Sequence, residues 1–350
     1  MRDISMHTSI GVGGYVNGDI EKNVRFVQAA ESAGVTSVWS AEAWGQDAVT
    51  SLAYLAAVTS RIKLGTGIMQ ISARAPAMTA MTAMSLNALS KGRFMLGLGA
   101  SGPQVVEGLH GVAYHGPLTR LKETIDICRI AFRGEKIRYD GKHHVLPRTG
   151  GEGKAIRVDH PPQDIPIYLA TLAPASLRYT GVSADGWLGT SFSPDHADAH
   201  LSYIREGAVG AGRTLDDIDL SAAVTVGIGD DVDRLVADRK PGVAFNLGGM
   251  GSANTNFYND AFKRAGYVDD ALAVQSLWMQ GKRQEAAERV PDKMVLEFQA
   301  LGTIDMVRAR LQKYKDVGIN TLNLRLDTAD GDESRIALLE QTLDIVHSLK

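Results

Sequence analysis

Glu42 is the acid whose surroundings could put it to work. It follows the apolar run Val38-Trp39-Ser40-Ala41 and stands two residues before Trp44. A carboxyl at a strand end beside an indole could have its pKa raised by poor solvation and act as general acid or base. The competing reading is a solvated loop carboxylate. Two Gly-x-Gly pairs, Gly65-Thr66-Gly67 and Gly97-Leu98-Gly99, each close a β-rich run. Glycine there could let a flat ring lie against bare backbone, or could simply relieve crowding between strands.

The second pair also opens Gly97-Leu98-Gly99-Ala100-Ser101-Gly102, which fits G-x-G-x-x-G. A dinucleotide site needs a helix to open at the third glycine. Here Pro103 follows, and the next strong helical period begins near Leu118, so a strand-to-loop turn is the preferred reading. Ile167-Tyr168-Leu169-Ala170-Thr171-Leu172-Ala173-Pro174-Ala175-Ser176 runs from a strand into a helix through small residues. Free backbone N–H groups at such a helix start suit a phosphate, and the hydroxyls of Thr190 and Ser191 could join them. Ordinary capping is the alternative.

Other candidates carry less. His196 and His200 have the i, i+4 spacing of helical metal ligands, but no H-E-x-x-H pattern or third ligand accompanies them. A solvated helix face is expected, and no metal site. Cys128 falls in phase with Leu121, Ile125 and Phe132, which makes it a core thiol. Met78, Met81 and Met84 lie three apart on one helical pattern and read as core.

The elements that must hold these groups alternate. Strand-like runs are Ile4–Ile10, Val35–Ala41, Ile62–Met69, Phe94–Gly99, Ile165–Ala170, Gly186–Thr190, Leu220–Ile228 and Ile319–Leu326. Helical patterns follow each in turn: Ile20–Ala33, Asp47–Ser60, Pro76–Leu89, Leu118–Phe132, Pro174–Val182, Pro194–Gly210, Thr303–Val317 and Glu333–Leu349. Eight βα units predict a closed (β/α)8 barrel of the α/β class. The chain's 350 residues exceed the usual barrel, and the surplus falls at about 134–164 and 229–301. The first insertion reads as a hairpin turning at Asp140-Gly141, and the second carries helices over Asp269–Gln280 and Arg283–Val290. No linker rich in Pro or Ser divides the chain, so a single domain over 1–350 is expected.

Composition excludes several classes. A hydrophobic share of 44% supports a large core. A formal charge of −3 gives no reason to expect nucleic acid or an anionic membrane as partner. The N-terminus lacks a long apolar region, and no stretch reaches a membrane span. With one cysteine there is no internal disulfide, and a reducing cytoplasm is the expected home.

Taken in order, the segments resemble the bacterial-luciferase-like flavin and deazaflavin oxidoreductases, in the branch that uses coenzyme F420. The resemblance spans nearly the whole chain: SVWSAEAWGQDAVTSLAYLAAVTSRIKLGTGIMQ, APAMTAMTAMSLNALSKGRFMLGLGASGPQVVEGLHG, YDGKHHVLP, IPIYLATLAPASLRYTGVSADGWLGTSFSP and GGMGSANTNFYND. It implies a (β/α)8 barrel with insertions. It implies a ring at the strand C-termini on a non-prolyl cis peptide at Gly67-Ile68, beside Met69. Ser101 and Gly102 match the loop beside the ring, and Ala170, Thr171, Leu172, Ala173 and Thr190 match the phosphate contacts. Many deazaflavin relatives place an Asp-His pair after the second strand, where this chain has Ala41-Glu42.

The reaction so implied is hydride transfer between F420 and a small organic substrate at a carbonyl, C=C or C=N bond, with Glu42 handling the proton. Trp44, Met69, Gln70 and the insertion around Gly248–Tyr258 would shape the pocket, and Arg74 and Arg178 would meet the acidic tail. An FMN-dependent monooxygenase is the alternative, and a non-catalytic flavin-binding protein is the second. A homodimer is expected from the resemblance.

Overall fold

Along the barrel strands, apolar residues recur at every second position, and that alternation gives the sheet two faces. The computed structural model describes residues 6–12, 20–252, 254–326 and 331–350. Its strands are β1 (His7–Val12), β2 (Ser37–Ser40), β3 (Lys63–Thr66), β4 (Phe94–Gly99), β5 (Ile167–Leu169), β6 (Gly186–Gly189), β7 (Asp219–Ile228) and β8 (Thr321–Leu326). All pair in parallel in chain order, and β8 returns to β1 to close the barrel. Ile10, Val38, Leu64, Leu96, Val224 and Leu324 point outward into the core shared with the helices. Trp39, Met95 and Tyr168 alternate with them and pack together inside. The expected strands are all present, although Ile4 and Ser5 of the first lie outside the described residues.

The outer helices are α1 (Ile20–Ser32), α2 (Ala48–Val58), α3 (Pro76–Leu89), α4 (Pro117–Phe132), α5 (Pro174–Ser183), α6 (Asp198–Gly210), α7 (Ile304–Asp316) and α8 (Asp332–His347). Asp47 caps α2, its Oδ1 accepting from the amides of Val49 at 2.8 Å and Thr50 at 2.7 Å. Proline opens α3, α4 and α5, where no N–H bond is lost. Gly34 and Gly318 follow α1 and α7 with φ of +92° and +91°, a conformation that favours glycine.

The first insertion forms the expected hairpin, with Tyr139–Asp140 antiparallel to Val145–Leu146. Buried Glu123 holds it, accepting from the amides of Lys142 at 2.7 Å and His144 at 2.9 Å. The second insertion builds its own apolar cluster around Val243, Leu247, Phe262 and Phe298. Besides the two expected helices (Val268–Met279, Arg283–Glu288), it contains Val232–Gly248, Phe257–Arg264 and Asp292–Phe298. Pro241-Gly242 inside the first of these hid its helical period. A strand at Ala300–Gly302 then pairs with the far end of β7.

Three sequence expectations are corrected. His200 is not on a solvated face: it is buried and packs against Trp187 and Phe192. Its neighbour His196 meets Glu297 at 2.9 Å rather than facing water alone. Of the three spaced methionines only Met84 is core, while Met78 and Met81 are exposed. Cys128 is buried as expected, which pushes its thiol pKa up to about 12. No described helix is long and apolar enough to cross a membrane.

Candidate active site

A cavity of about 480 Å³ opens at the C-terminal ends of β2 to β5. Ala41 to Trp44 line one side, and Gly67-Ile68 lies at the end of β3. The Gly67-Ile68 peptide is cis, as the resemblance implied. Gly99 to Gly102 follow β4, with Ser101 at φ +58°. Ala170 to Ala173 follow β5. Met250, Phe257 and Tyr258 of the second insertion close over the top, as expected for that segment. Trp44 is mostly exposed and stands at the mouth.

The first glycine of each Gly-x-Gly pair serves the packing of the barrel. A Cβ on Gly65 would stand 2.2 Å from the Trp39 ring, and one on Gly97 would stand 1.8 Å from the Thr66 carbonyl oxygen. Gly67 and Gly99 are less tight, with the nearest atoms of Trp39 and Ile68 at 3.1 Å, and both line the cavity. Crowding inside the barrel therefore dictates Gly65 and Gly97. The G-x-G-x-x-G match does open a helix at Gly102, but only over Pro103–Val106, on the fourth strand of a barrel.

Glu42 lines the cavity with its oxygens already engaged. Oε1 accepts from the Gln70 amide at 2.8 Å and from Arg74 Nη1 at 2.5 Å, and Oε2 from the Ala48 amide at 3.2 Å. The carboxylate thus ties the loop after β2 to the start of α2 and to the segment after β3. That arrangement suits a positioning group. Gln70 and Met69 are corrected as wall residues, since neither lines the cavity. The Gln70 side chain is buried, its Nε2 donating to the carbonyls of Glu42 at 3.2 Å and Ala43 at 3.1 Å. Met69 is wholly buried in the core.

At the other end of the cavity α5 starts without a side-chain cap on Ala173. Pro174 has no N–H to offer, so the amides of Ala175 and Ser176 are the first donors, and both residues line the cavity. An uncapped helix start of this kind suits a phosphate. The Thr171 hydroxyl is committed to Thr180 at 2.8 Å, which leaves its backbone at the wall. Thr190 follows β6 and is not among the lining residues.

Arg264, from the insertion helix Phe257–Arg264, donates to the Leu172 carbonyl at 2.7 Å and brings positive charge beside this end. Sequence reading missed it because its helix follows a glycine-rich run. Tyr114 was also missed: it lines the cavity and donates to the Ser101 carbonyl at 3.3 Å.

The two arginines expected at an acidic tail have other partners. Arg178 pairs with Glu206 at 2.7 Å, lies over the Tyr203 ring, and does not line the cavity. Arg74 is held by Glu42, and it also lines a neighbouring cavity of about 320 Å³ with Arg120 and His144.

The comparisons with known proteins agree with this geometry. The family described as luciferase-like monooxygenase matches residues 3–321. A Mycobacterium tuberculosis protein assigned as a coenzyme F420-dependent oxidoreductase is 39% identical over 328 residues, covering 91% of this chain and 94% of that one. The 5,10-methylenetetrahydromethanopterin reductase of Methanolobus tindarius is 29% identical over 323 residues, covering 91% and 94%. Among solved structures, the F420-dependent tetrahydromethanopterin reductase of Methanopyrus kandleri superposes with a TM-score of 0.81, covering 96% of this chain and 98% of that one at 24% identity.

Proposed function

The chain belongs to the luciferase-like monooxygenase family, and from that premise we propose that it is an F420-dependent oxidoreductase. It moves hydride between the deazaflavin and a small organic substrate at a carbonyl, C=C or C=N bond. The observation that carries this reading is the cavity itself. One end is backbone at Gly67-Ile68, and the other is the uncapped start of α5 with Ala175 and Ser176. That pairing fits a molecule with a flat ring and a phosphate a short chain away. The 39% identical relative supports the F420 reading over FMN.

Bound there, F420 supplies hydride chemistry at a ring that the protein does not need to modify. The chain's own residues bind, orient and exclude water. The amides of Ala175 and Ser176 would hold the phosphate, with Arg264 adding charge next to Leu172. Ile68 and Gly67 would carry the ring, and Ser101 and Gly102 would border it. Trp44, Met250 and Phe257 would cover the reacting face and keep water out. Glu42, through Arg74 and the Gln70 amide, fixes the loop bearing Trp44.

The working form is a homodimer; exposed Tyr54, Met78 and Met81 on α2 and α3 support a covered face there. Its single thiol, buried in the core, supports a reducing cytoplasm as its place. Equilibrium titration with F420 and with FMN tests the cofactor. F420 binding at micromolar affinity with FMN much weaker is the expected result. Retained FMN with no F420 affinity would instead favour the monooxygenase reading.

A further inference from the structure

The smaller cavity, of about 320 Å³, adjoins the larger one. Ala100, Tyr114 and Pro117 line both, so Tyr114 stands in a shared wall, its hydroxyl donating to the Ser101 carbonyl at 3.3 Å. One side of the smaller cavity is Ile71 to Pro76, the chain that leads from Gly67-Ile68 into α3. Arg120 of α4 and His144 of the hairpin also line it, and Val106 and Val112 add apolar surface.

The lining of this cavity includes two guanidinium groups, Arg74 and Arg120, and no carboxylate. Carboxylates bonded to lining residues are spent elsewhere. Glu42 accepts from Arg74 and from the amides of Gln70 and Ala48. Glu123 accepts from the hairpin amides and meets His144 Nδ1 at 2.8 Å. Glu107 accepts from the Tyr114 amide at 2.9 Å. Positive charge is left over. Arg120 is half-buried, its Nε donates to the His115 carbonyl at 3.3 Å, and among the described residues it has no ion pair. Arg74 meets Glu42 through Nη1 alone, which leaves the rest of its fork for another acceptor. Two cations around one cavity repel each other, and an anion between them would relieve both.

We propose that the smaller cavity is a substrate subsite, in which Arg74 and Arg120 hold a carboxylate or phosphate group while the reacting atoms of the same molecule lie in the larger cavity. Planar guanidinium forks suit two oxygens of such a group, and Ile71, Val106 and Val112 suit an apolar stem. Position assigns the anion to the substrate rather than to the cofactor. The subsite is built from chain just beyond Gly67-Ile68 and Gly99, where the ring would lie. It shares none of Ala170 to Ser176, where the phosphate would lie. This deepens the oxidoreductase reading by naming a substrate class, and it rests on that reading only in calling the anion a substrate group.

Calorimetric titration with benzoate, phenyl phosphate and neutral benzamide tests it, on protein with and without F420. Bound F420 fills the start of α5, so that an anion added afterwards reports on the smaller cavity. The favoured anion should bind at least about tenfold more tightly than benzamide, with F420 present as without it. Arg120→Gln should remove about that factor and Arg120→Lys less, with F420 affinity unchanged within about twofold. Ala113→Glu, which sets a carboxylate on an exposed lining residue, should also weaken the anion and spare benzamide. Should Arg120→Gln fail to fold, that variant must still show the selective loss. Equal binding of anions and benzamide, or anion binding indifferent to these substitutions, overturns the proposal. So does displacement of the anion by F420 together with weakened F420 binding in Arg120→Gln, which would give the cavity to the cofactor. Arg120-dependent anion binding in a protein that ignores F420 would leave this site standing and remove the cofactor reading.

Discussion

Glu42 and Arg74 meet at 2.5 Å beside the cavity, with 7% and 20% of their side-chain surface exposed. The pair joins the loop after β2 to the segment after β3, and the same Glu42 carboxylate accepts the amides of Gln70 and Ala48. Removing one partner strands the other in a poorly solvated place. Glu42→Gln should therefore destabilise the protein by about 1–3 kcal/mol in urea unfolding, and Arg74→Leu by a similar amount. The double variant should cost less than the sum, because the two residues share one interaction. A Glu42→Gln protein of unchanged stability would remove the positioning role and return Glu42 to candidacy as a proton carrier.

The start of α5 separates cofactor binding from stability. Ala175→Asp would place a carboxylate at the helix N-terminus, where the dipole favours it by about 0.3–1 kcal/mol. The same charge would repel a phosphate held by the Ala175 and Ser176 amides. Melting temperature should hold or rise while F420 affinity falls at least about tenfold, a loss of 1.4 kcal/mol or more. A variant that binds F420 as tightly as the parent would place the phosphate elsewhere.

Burial against Trp187 and Phe192, with Arg264 adding to it, takes the His200 imidazole down to about 3. In the unfolded chain it titrates near 6.5. Between those values the unfolded state binds a proton that the folded state refuses. His200's contribution is therefore complete above pH 6.5 and is lost as pH falls towards 3. His200→Phe keeps an aromatic ring in the cluster without the titration. Urea midpoints from pH 7 to pH 4 should fall less steeply in the variant, by about 3 kcal/mol over that range. Parallel curves would mean that His200 is reached by protons in the native state.

Much of the barrel was legible because its physics is periodic. Glycine after a helix, proline at a helix start and apolar runs bounded by both gave all eight strands and their helices to within a few residues. The insertion was less legible. Pro241-Gly242 looks like a break, but lies within a helix whose Val236, Val243 and Leu247 bury enough apolar surface to hold it. The site was half legible. Ala170 to Ala173 could be placed because a strand there runs into a helix at the barrel rim, whereas Ser101 and Gly102 came from the family resemblance alone. Gly65 and Gly97 answer to packing while Gly67 and Gly99 line the cavity, and Gly-x-Gly looks the same in either case. Arg264 could not be found by spacing, since only the folded insertion brings it beside the cavity.

The exposed apolar side chains of α2 and α3 make a prediction about assembly. Tyr54, Met78 and Met81 lie on the outside of the barrel, away from the cavity. A Met78→Glu, Met81→Glu variant should run as a monomer in size-exclusion chromatography with light scattering, and the parent should run as the proposed dimer. Burying two charges would raise the dissociation constant by roughly 100-fold or more. An assembly unmoved by both charges would place the contact on another face.

A crystal structure with F420 soaked in tests the central claim most directly. The account predicts the deazaflavin ring at Gly67-Ile68, bordered by Ser101 and Gly102, with its phosphate on the amides of Ala175 and Ser176. A ring bound in the smaller cavity beside Arg74 and Arg120, or a phosphate held away from the start of α5, would contradict it.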